Sequence, residues 1–315
     1  MMDWSTTAFL FPGQNSQVVG MGKDIAAAYP TAKAIFDEAD DVLGGNLAKL
    51  CFEGPEDALN DTYNTQPAVY VCSAAILAAL QDEQPDAQAA FLAGHSLGEF
   101  TALMAAESLT FADGLRLVRE RGRLMRQAGE ENPGAMAALL GTSLEDALAI
   151  CKTASEQTGK PVVVANDNCP GQIVISGDVA ALEAALKIAK ARGTKRTVRL
   201  AVSIAAHSPL MQAAADDFRA LLDKTNFKPP RVPVYGNANA EPITTVEAIR
   251  AELNRQLVSP VLWTKSMQQM IAAGAQTFVE IGPGDVLTGL VKRIDRSKNR
   301  SALNDVKALQ NFTEA

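Results

Sequence analysis

Ala90-Phe91-Leu92-Ala93-Gly94-His95-Ser96-Leu97-Gly98-Glu99-Phe100 is the stretch whose reading decides the fold. Ala90–Gly94 is a short apolar run of the kind that forms a buried strand, and Leu97–Ala106 reads as the helix that follows. Between them, Gly94-His95-Ser96-Leu97-Gly98 matches G-x-S-x-G, a sharp strand-to-helix turn that presents a serine hydroxyl. Ser96 is therefore a candidate nucleophile, and it needs a base to take its proton near neutral pH. The chain has 2 histidines in 315 residues. His95 belongs to the turn itself, with a side chain expected to point away from the Ser96 hydroxyl. If the base is a histidine, it is His207.

Outward from the turn, Thr7–Phe11 is another apolar run, stopped by Pro12-Gly13 as a buried strand entering a loop would be. Ala112–Ala128 reads as an amphipathic helix carrying Arg116, Arg119, Arg121, Arg123 and Arg126. From about Glu130 the texture changes. Strand Ala135–Leu140, helix Leu144–Gln157 and strand Pro161–Ala165 are followed by a turn with Asp167, Asn168, Pro170 and Gly171. Strand Gln172–Ser176, helix Val179–Ala191 and strand Thr197–Val202 complete the segment. This βαββαβ order predicts a ferredoxin-like small domain over 130–202, inserted into a larger domain made of 1–129 and 203–315. The larger domain resumes with helix Pro209–Leu222, strand Val232–Gly236, and helices Thr245–Leu257 and Val261–Ala273. A final strand, Thr277–Ile281, is closed by Gly282-Pro283-Gly284. Alternating strands and helices on both sides of the insertion predict an α/β fold. Its large domain is α/β-hydrolase-like, with a mostly parallel sheet covered by helices.

Bulk properties narrow the function classes. A net charge of −7 disfavours nucleic acid as a partner. The longest apolar stretch, Ala68–Leu80, is interrupted by Ser73 and too short to span a bilayer, so it reads as a buried helix rather than a membrane segment. Cys51, Cys72, Cys151 and Cys169 are scattered, without a C-x-x-C pair or metal-ligand spacing. That points to a reducing compartment and away from a zinc site or disulfide framework. With Asp3 ahead of any apolar run and no basic leader, the expected location is cytoplasmic.

Further motifs, taken together, resemble the malonyl-CoA:acyl carrier protein transacylase family over essentially the whole chain. Phe11-Pro12-Gly13-Gln14 is similar to that family's first loop, Gly94 to Glu99 to its nucleophile motif, and Arg121-Gly122 to its substrate-arginine segment. Asn168-Cys169-Pro170-Gly171-Gln172, His207-Ser208-Pro209-Leu210-Met211, Gln256 to Thr264, and Glu280-Ile281-Gly282-Pro283-Gly284 follow in the family's order.

The resemblance implies a ping-pong acyl transfer. Ser96 attacks the thioester of malonyl-CoA with His207 as general base, and the malonyl ester then passes to the phosphopantetheine thiol of acyl carrier protein. The oxyanion donors implied are the backbone N–H groups of Gln14 and Leu97. Gln14 also has a plainer reading, as a loop residue whose amide ties down Pro12-Gly13. Arg121 is implied as the partner of malonate's free carboxylate, a task that suits a bidentate guanidinium; sequence spacing alone does not single it out from the other helix arginines. Asp113, Asp146, Asp167 and Asp178 lie between serine and histidine, mostly where helix caps are expected. The resemblance gives the histidine-orienting role to the backbone carbonyl of Gln256 instead. It implies no cofactor beyond the CoA thioester and the carrier's own phosphopantetheine, and a monomer.

Two departures from the family pattern stand out. Asn15 replaces a glycine in a turn, and asparagine tolerates left-handed backbone better than most residues. Ala206 precedes the histidine where the family usually has phenylalanine, which opens space for α-branched acyl groups such as methylmalonyl; Leu97 fits malonyl. Two basic groups offer themselves to an acidic carrier: Lys187, Lys190, Arg192, Lys195, Arg196 and Arg199, and Lys292, Arg293, Arg296, Lys298 and Arg300. The rival readings are a serine thioesterase or carboxylesterase using the same Ser96–His207 pair, and a carrier-binding scaffold without turnover. The hydrolase predicts a histidine–carboxylate pair and leaves Arg121 without a task.

Overall fold

The computed structural model describes residues 2–314; Met1 and Ala315, the outer bounds of the expected large domain, lie outside them. The chain enters on β1 (Thr7–Phe11), all five residues of which are buried. Four helices follow, α1 (Lys23–Ala28), α2 (Pro30–Leu43), α3 (Leu47–Glu53) and α4 (Glu56–Asn60), in a region where the sequence reading assigned no elements. The apolar run then becomes α5 (Thr62–Glu83), buried on nearly every side from Thr65 to Leu80, as a helix apolar all round must be. β2 (Phe91–Gly94), α6 (Gly98–Ala105) and α7 (Phe111–Glu131) succeed it.

The next segment is β3 (Gly134–Leu140), α8 (Leu144–Thr158), β4 (Val162–Cys169), β5 (Gln172–Asp178), α9 (Val179–Ala191) and β6 (Arg196–Arg199). A 3₁₀ turn at Pro209–Met211 leads into α10 (Gln212–Lys224), β7 (Val234–Tyr235), β8 (Pro242–Ile243), α11 (Val246–Gln256) and α12 (Trp263–Ala272). The chain closes with β9 (Thr277–Ile281), α13 (Val286–Ile294), β10 (Asn299–Leu303) and α14 (Val306–Thr313).

Two sheets organise these elements. The six-stranded sheet has the order β10-β9-β1-β2-β7-β8 and is parallel except for the terminal β7/β8 pair. Its central strands are apolar on both faces because helices cover both. The four-stranded sheet is antiparallel, in the order β4-β5-β3-β6. Along β3 the side chains alternate. Ala135, Ala137 and Leu139 pack under α8 and α9, whereas Met136 and Ala138 join the core shared with the larger sheet. That second face forms one wall of the cleft described below. No described helix is long and apolar enough to cross a membrane.

Several sequence expectations need correction. Thr277–Ile281 is not the final strand: β10 pairs parallel with β9 along its whole length. Asn299-Arg300-Ser301-Ala302-Leu303 carries almost no apolar pattern because it is an edge strand, paired on one side only. The turn expected over Asp167–Gly171 shrinks to Pro170-Gly171, with Gly171 at φ +75°. Asn166, Asp167 and Asn168 stay extended because β4 borrows a partner outside its sheet. Asp167 N–H donates to the Val261 carbonyl at 2.9 Å, and Val261 N–H donates to the Ala165 carbonyl at 2.8 Å. The strand expected over Thr197–Val202 stops at Arg199, and Leu200 and Val202 line the cleft instead.

Candidate active site

β2 runs into a turn in which Ser96 takes φ +52°, a left-handed backbone that a serine adopts only when its surroundings enforce it. The two glycines of the motif make the turn sterically possible. A Cβ on Gly94 would lie 1.9 Å from the Gly98 carbonyl carbon, and one on Gly98 would lie 2.1 Å from the Phe11 carbonyl oxygen. Asn237 clamps the turn from outside: its Oδ1 accepts the Ser96 N–H at 2.6 Å and its Nδ2 donates to the Gly94 carbonyl at 2.8 Å. Ser96 thus stands at the start of α6 with its hydroxyl raised above the sheet.

His207 meets it there. The Ser96 hydroxyl lies 2.8 Å from His207 Nε2. His207 Nδ1 is 2.9 Å from the Gln256 carbonyl and 3.1 Å from the Ser259 carbonyl. Carbonyls only accept, so Nδ1 carries the hydrogen and Nε2 is left free to accept from serine. Burial, reinforced by the positive charge of Arg121, pushes the His207 pKa down to about 3. Among the described residues no carboxylate accepts from His207. Asp113, Asp146 and Asp178 are engaged at the starts of α7, α8 and α9, and Asp167 accepts from the Thr264 hydroxyl at 2.8 Å. The histidine–carboxylate pair that the hydrolase reading requires is not built here.

Arg121 is the third member. It is 1% exposed, and its Nη2 donates to Ser96 Oγ and to Gln256 Oε1, both at 3.0 Å. Nη1 donates to Gln66 Oε1 at 2.9 Å. Burial lowers its pKa to about 10, which still leaves it charged at neutral pH. Its acceptors are neutral amide oxygens, a hydroxyl and the Met125 sulfur, so no carboxylate touches the guanidinium. A buried cation of this kind is a standing invitation to an anion. The other arginines of α7 take different tasks; Arg116, Arg123 and Arg126 bond exposed acidic neighbours, and Arg119 lies over the Tyr63 ring.

These groups open on a cavity of about 240 Å³ between the two sheets, lined among others by Gln14, Leu97, Met125, Met136, Val174 and Ala206. Among the described residues, the N–H groups of Gln14 and Leu97 donate to no protein acceptor. The Gln14 side chain donates to Thr62 Oγ1 at 3.1 Å rather than folding over Pro12-Gly13. Asn15, beside it, sits at φ +77°, the left-handed geometry expected of that turn. His95 Nε2 lies 2.8 Å from Asn168 Oδ1, so the imidazole is tied to β4 and not to the Ser96 hydroxyl. On α13, Val286, Leu287 and Leu290 form the outer wall. Arg293, from the second basic group, pins the hairpin by donating to Gln172 Oε1 and the Pro170 carbonyl at 2.9 and 3.0 Å. Among the described residues no group of three or more His, Cys, Asp or Glu could hold a metal ion.

The sequence reading missed Gln66, Glu99, Asn237 and Ser259 as contributors. Glu99 directly follows the nucleophile motif, and its burial inside α6 was the available signal: a carboxylate in an apolar helix start needs partners. For Arg121, which the sequence reading reached only through the family resemblance, the unused signal was the buried face of its helix. Leu117, Val118, Leu124 and Met125 share the buried face, and Arg121 falls between them.

The model of the acyl transferase domain family matches residues 8–309. A malonyl CoA-acyl carrier protein transacylase from Bacillus subtilis (strain 168) is 44% identical over 308 residues, covering 97% of this chain and 96% of that protein. A solved malonyl-CoA:acyl carrier protein transacylase from Xanthomonas oryzae pv. oryzae superposes with TM-score 0.95 at 41% identity, covering 99% of each chain. A further structure holds a type II PKS acyl-carrier protein in complex with its malonyl-transacylase. It matches with TM-score 0.94 at 42% identity, covering 98% of this chain and 99% of that one.

Proposed function

The chain belongs to the acyl transferase family, and from that premise we propose that it moves a malonyl group from malonyl-CoA to the phosphopantetheine thiol of acyl carrier protein, serving fatty-acid or polyketide synthesis. The observation that carries this reading is the buried Arg121 guanidinium, 3.0 Å from the Ser96 hydroxyl and without a carboxylate partner. An acyl group bound to Ser96 with a free carboxylate a few bonds away supplies what that cation lacks.

In the first half-reaction Ser96 Oγ attacks the thioester carbonyl while its proton passes to His207 Nε2. The tetrahedral intermediate places its oxyanion on the N–H groups of Gln14 and Leu97; losing one such donor raises a barrier by about 3 kcal/mol. The C–S bond then breaks, and His207 returns the proton to the CoA sulfur. In the second half-reaction the carrier's thiol gives its proton to His207 and its sulfur attacks the malonyl ester. The C–Oγ bond breaks, and the proton goes back to Ser96. Gln256 holds the imidazole through its backbone carbonyl, a neutral acceptor that fixes the tautomer but stabilises imidazolium less than a carboxylate does. Malonate's own negative charge beside Arg121 offsets one of the causes that depress the His207 pKa, so the base strengthens when substrate binds. Every proton and electron pair is carried by Ser96, His207 and the two thioesters, so these steps call for no resident cofactor.

Ala206 lines the cavity beside the reacting centre, where its small side chain leaves room for an α-methyl group. Malonyl is therefore expected to remain the principal substrate with α-branched groups only weakly excluded, since one methyl is worth only about 1–3 kcal/mol of discrimination. Single-turnover loading checks this, and a malonyl preference above about a thousandfold contradicts it.

The architecture is read as an α/β-hydrolase-like large domain over 1–129 and 203–315, with a ferredoxin-like small domain over 130–202. The parallel order of the larger sheet and the βαββαβ order of the smaller one support this reading. The chain is read as a monomer from its family resemblance, and a CoA thioester substrate supports a cytoplasmic setting. α13 carries Lys292 and Arg293 beside the cavity wall, with Arg296 just past its end, where an acidic carrier would arrive.

One incubation tests the function. With malonyl-CoA, the mass of the Ser96 peptide should rise by one malonyl group, and added acyl carrier protein should take that group as its own thioester. Release of free malonate without transfer supports the hydrolase, and no label on Ser96 overturns the mechanism.

A further inference from the structure

Gln256 touches every member of the constellation. Its backbone carbonyl accepts from His207 Nδ1 at 2.9 Å, and its Oε1 accepts from Arg121 Nη2 at 3.0 Å. Its Nε2 donates to the Ser96 carbonyl at 3.0 Å and to Glu99 Oε2 at 2.9 Å. A primary amide has one accepting end and one donating end, and half a turn about its last bond exchanges them. With the oxygen toward Arg121 the guanidinium is held at Ser96; with the nitrogen there, two donors face each other.

The end that faces Arg121 is decided on the other side of the amide. Glu99 Oε2 is itself fixed by the Asn237 N–H at 3.2 Å, and an oxygen in that position accepts only from the nitrogen end. The Ser96 carbonyl, which also accepts the Glu99 N–H at 3.1 Å, is the second acceptor for the same nitrogen. Glu99 is fully buried and reaches neither the reacting atoms nor the cavity. Its second oxygen, Oε1, has no hydrogen-bond partner among the described residues.

We propose that Glu99 is a positioning residue for acyl-group selection: by fixing the Gln256 amide it holds Arg121 beside Ser96, and so sets the preference for acyl groups that carry a free carboxylate. This rests on the reading of Arg121 given above. Burial and the neighbouring Glu252 hold the Glu99 carboxyl well above the usual carboxylate range, and glutamine matches that side chain in shape. Glutamine keeps an oxygen to accept from Gln256 and Asn237. Methionine keeps the length and loses the acceptor.

The test is the ratio of kcat/KM for malonyl-CoA to kcat/KM for acetyl-CoA, measured as loading of Ser96. A merely structural defect lowers both numbers and leaves their ratio alone. Glu99→Met should lower the ratio by about tenfold or more, the worth of a hydrogen bond to a charged group. Glu99→Gln should restore it to within about twofold of the native value. Gln256→Met cuts the same chain at its middle link and should lower the ratio equally; it carries the test if Glu99→Met does not accumulate as folded protein. A ratio unchanged in the methionine variants overturns the inference, as does a Glu99→Gln enzyme as indiscriminate as Glu99→Met. A native enzyme that loads both thioesters equally overturns the Arg121 reading, and the role of Glu99 with it.

Discussion

His207, the base of the proposed mechanism, is kept neutral by its surroundings. Burial and Arg121 push its pKa down to about 3, far below the 6.5 of a free imidazole. Two consequences follow from the sign of that shift. Loading kcat/KM should stay flat as pH falls from 7 to about 5, because the free enzyme's base does not protonate there. Stability should fall across the same range: below about 6.5 the unfolded chain binds a proton that the folded chain refuses until near 3, so the unfolded state is favoured as pH drops. A pH–rate profile with an acid limb at an ordinary histidine value would contradict the first, and a His207→Gln variant with an unchanged stability slope would contradict the second. Ser96 and His207 were legible in the sequence because a nucleophile motif and a scarce residue type constrain each other. Arg121 was legible only in part: the buried face of α7 marks it out, but what it faces is decided by elements distant in sequence. Glu99 was legible only as an acid at an apolar helix start and Gln66 not at all, since their roles exist only once α5, α6, α7 and α11 have packed together.

At the scale of elements, the cleft depends on helices held in place by single polar groups. Glu280, at the end of β9, is fully buried and accepts the first free N–H groups of α13: Leu287 at 3.0 Å and Thr288 at 2.8 Å. The carboxylate both satisfies those donors and sits at the positive end of the helix. It thereby fixes the wall built by Val286, Leu287 and Leu290. Glu280→Ala strands two buried donors and should destabilise the protein by about 2–4 kcal/mol, read as a lower urea midpoint at unchanged m value. An unmoved midpoint would show that α13 is held by its apolar face alone. The central strands and the amphipathic helices could be read from periodicity because burial writes itself into their pattern. β10 could not, being a charged edge strand. The far half of β4 was hidden for another reason: Asn166–Asn168 look like a turn, and only pairing with Val261 keeps them extended.

Over the whole molecule, the site is a meeting of parts that are remote along the chain. Ser96 comes from the β2–α6 turn, Arg121 from α7, His207 from the segment returning from the smaller sheet, and Gln256 from the end of α11. The parallel pairing of β1 with β2 and of β2 with β7 brings the elbow next to Gln14 on one side and Asn237 on the other. The fold class was legible from strand and helix alternation, whereas the strand order that creates these meetings was not. What the assembly achieves is a buried cation beside a serine hydroxyl, and in the proposed function the choice of acyl group turns on it. The most direct measurement is therefore the loading of Arg121→Met with malonyl-CoA and with acetyl-CoA. Malonyl-CoA kcat/KM should fall by about thirtyfold or more, as truncating one partner of a buried charge pair costs about 2–5 kcal/mol, while acetyl-CoA kcat/KM holds or rises. A parallel fall for both thioesters would contradict the account, because Arg121 would then support the fold or the nucleophile rather than read the carboxylate.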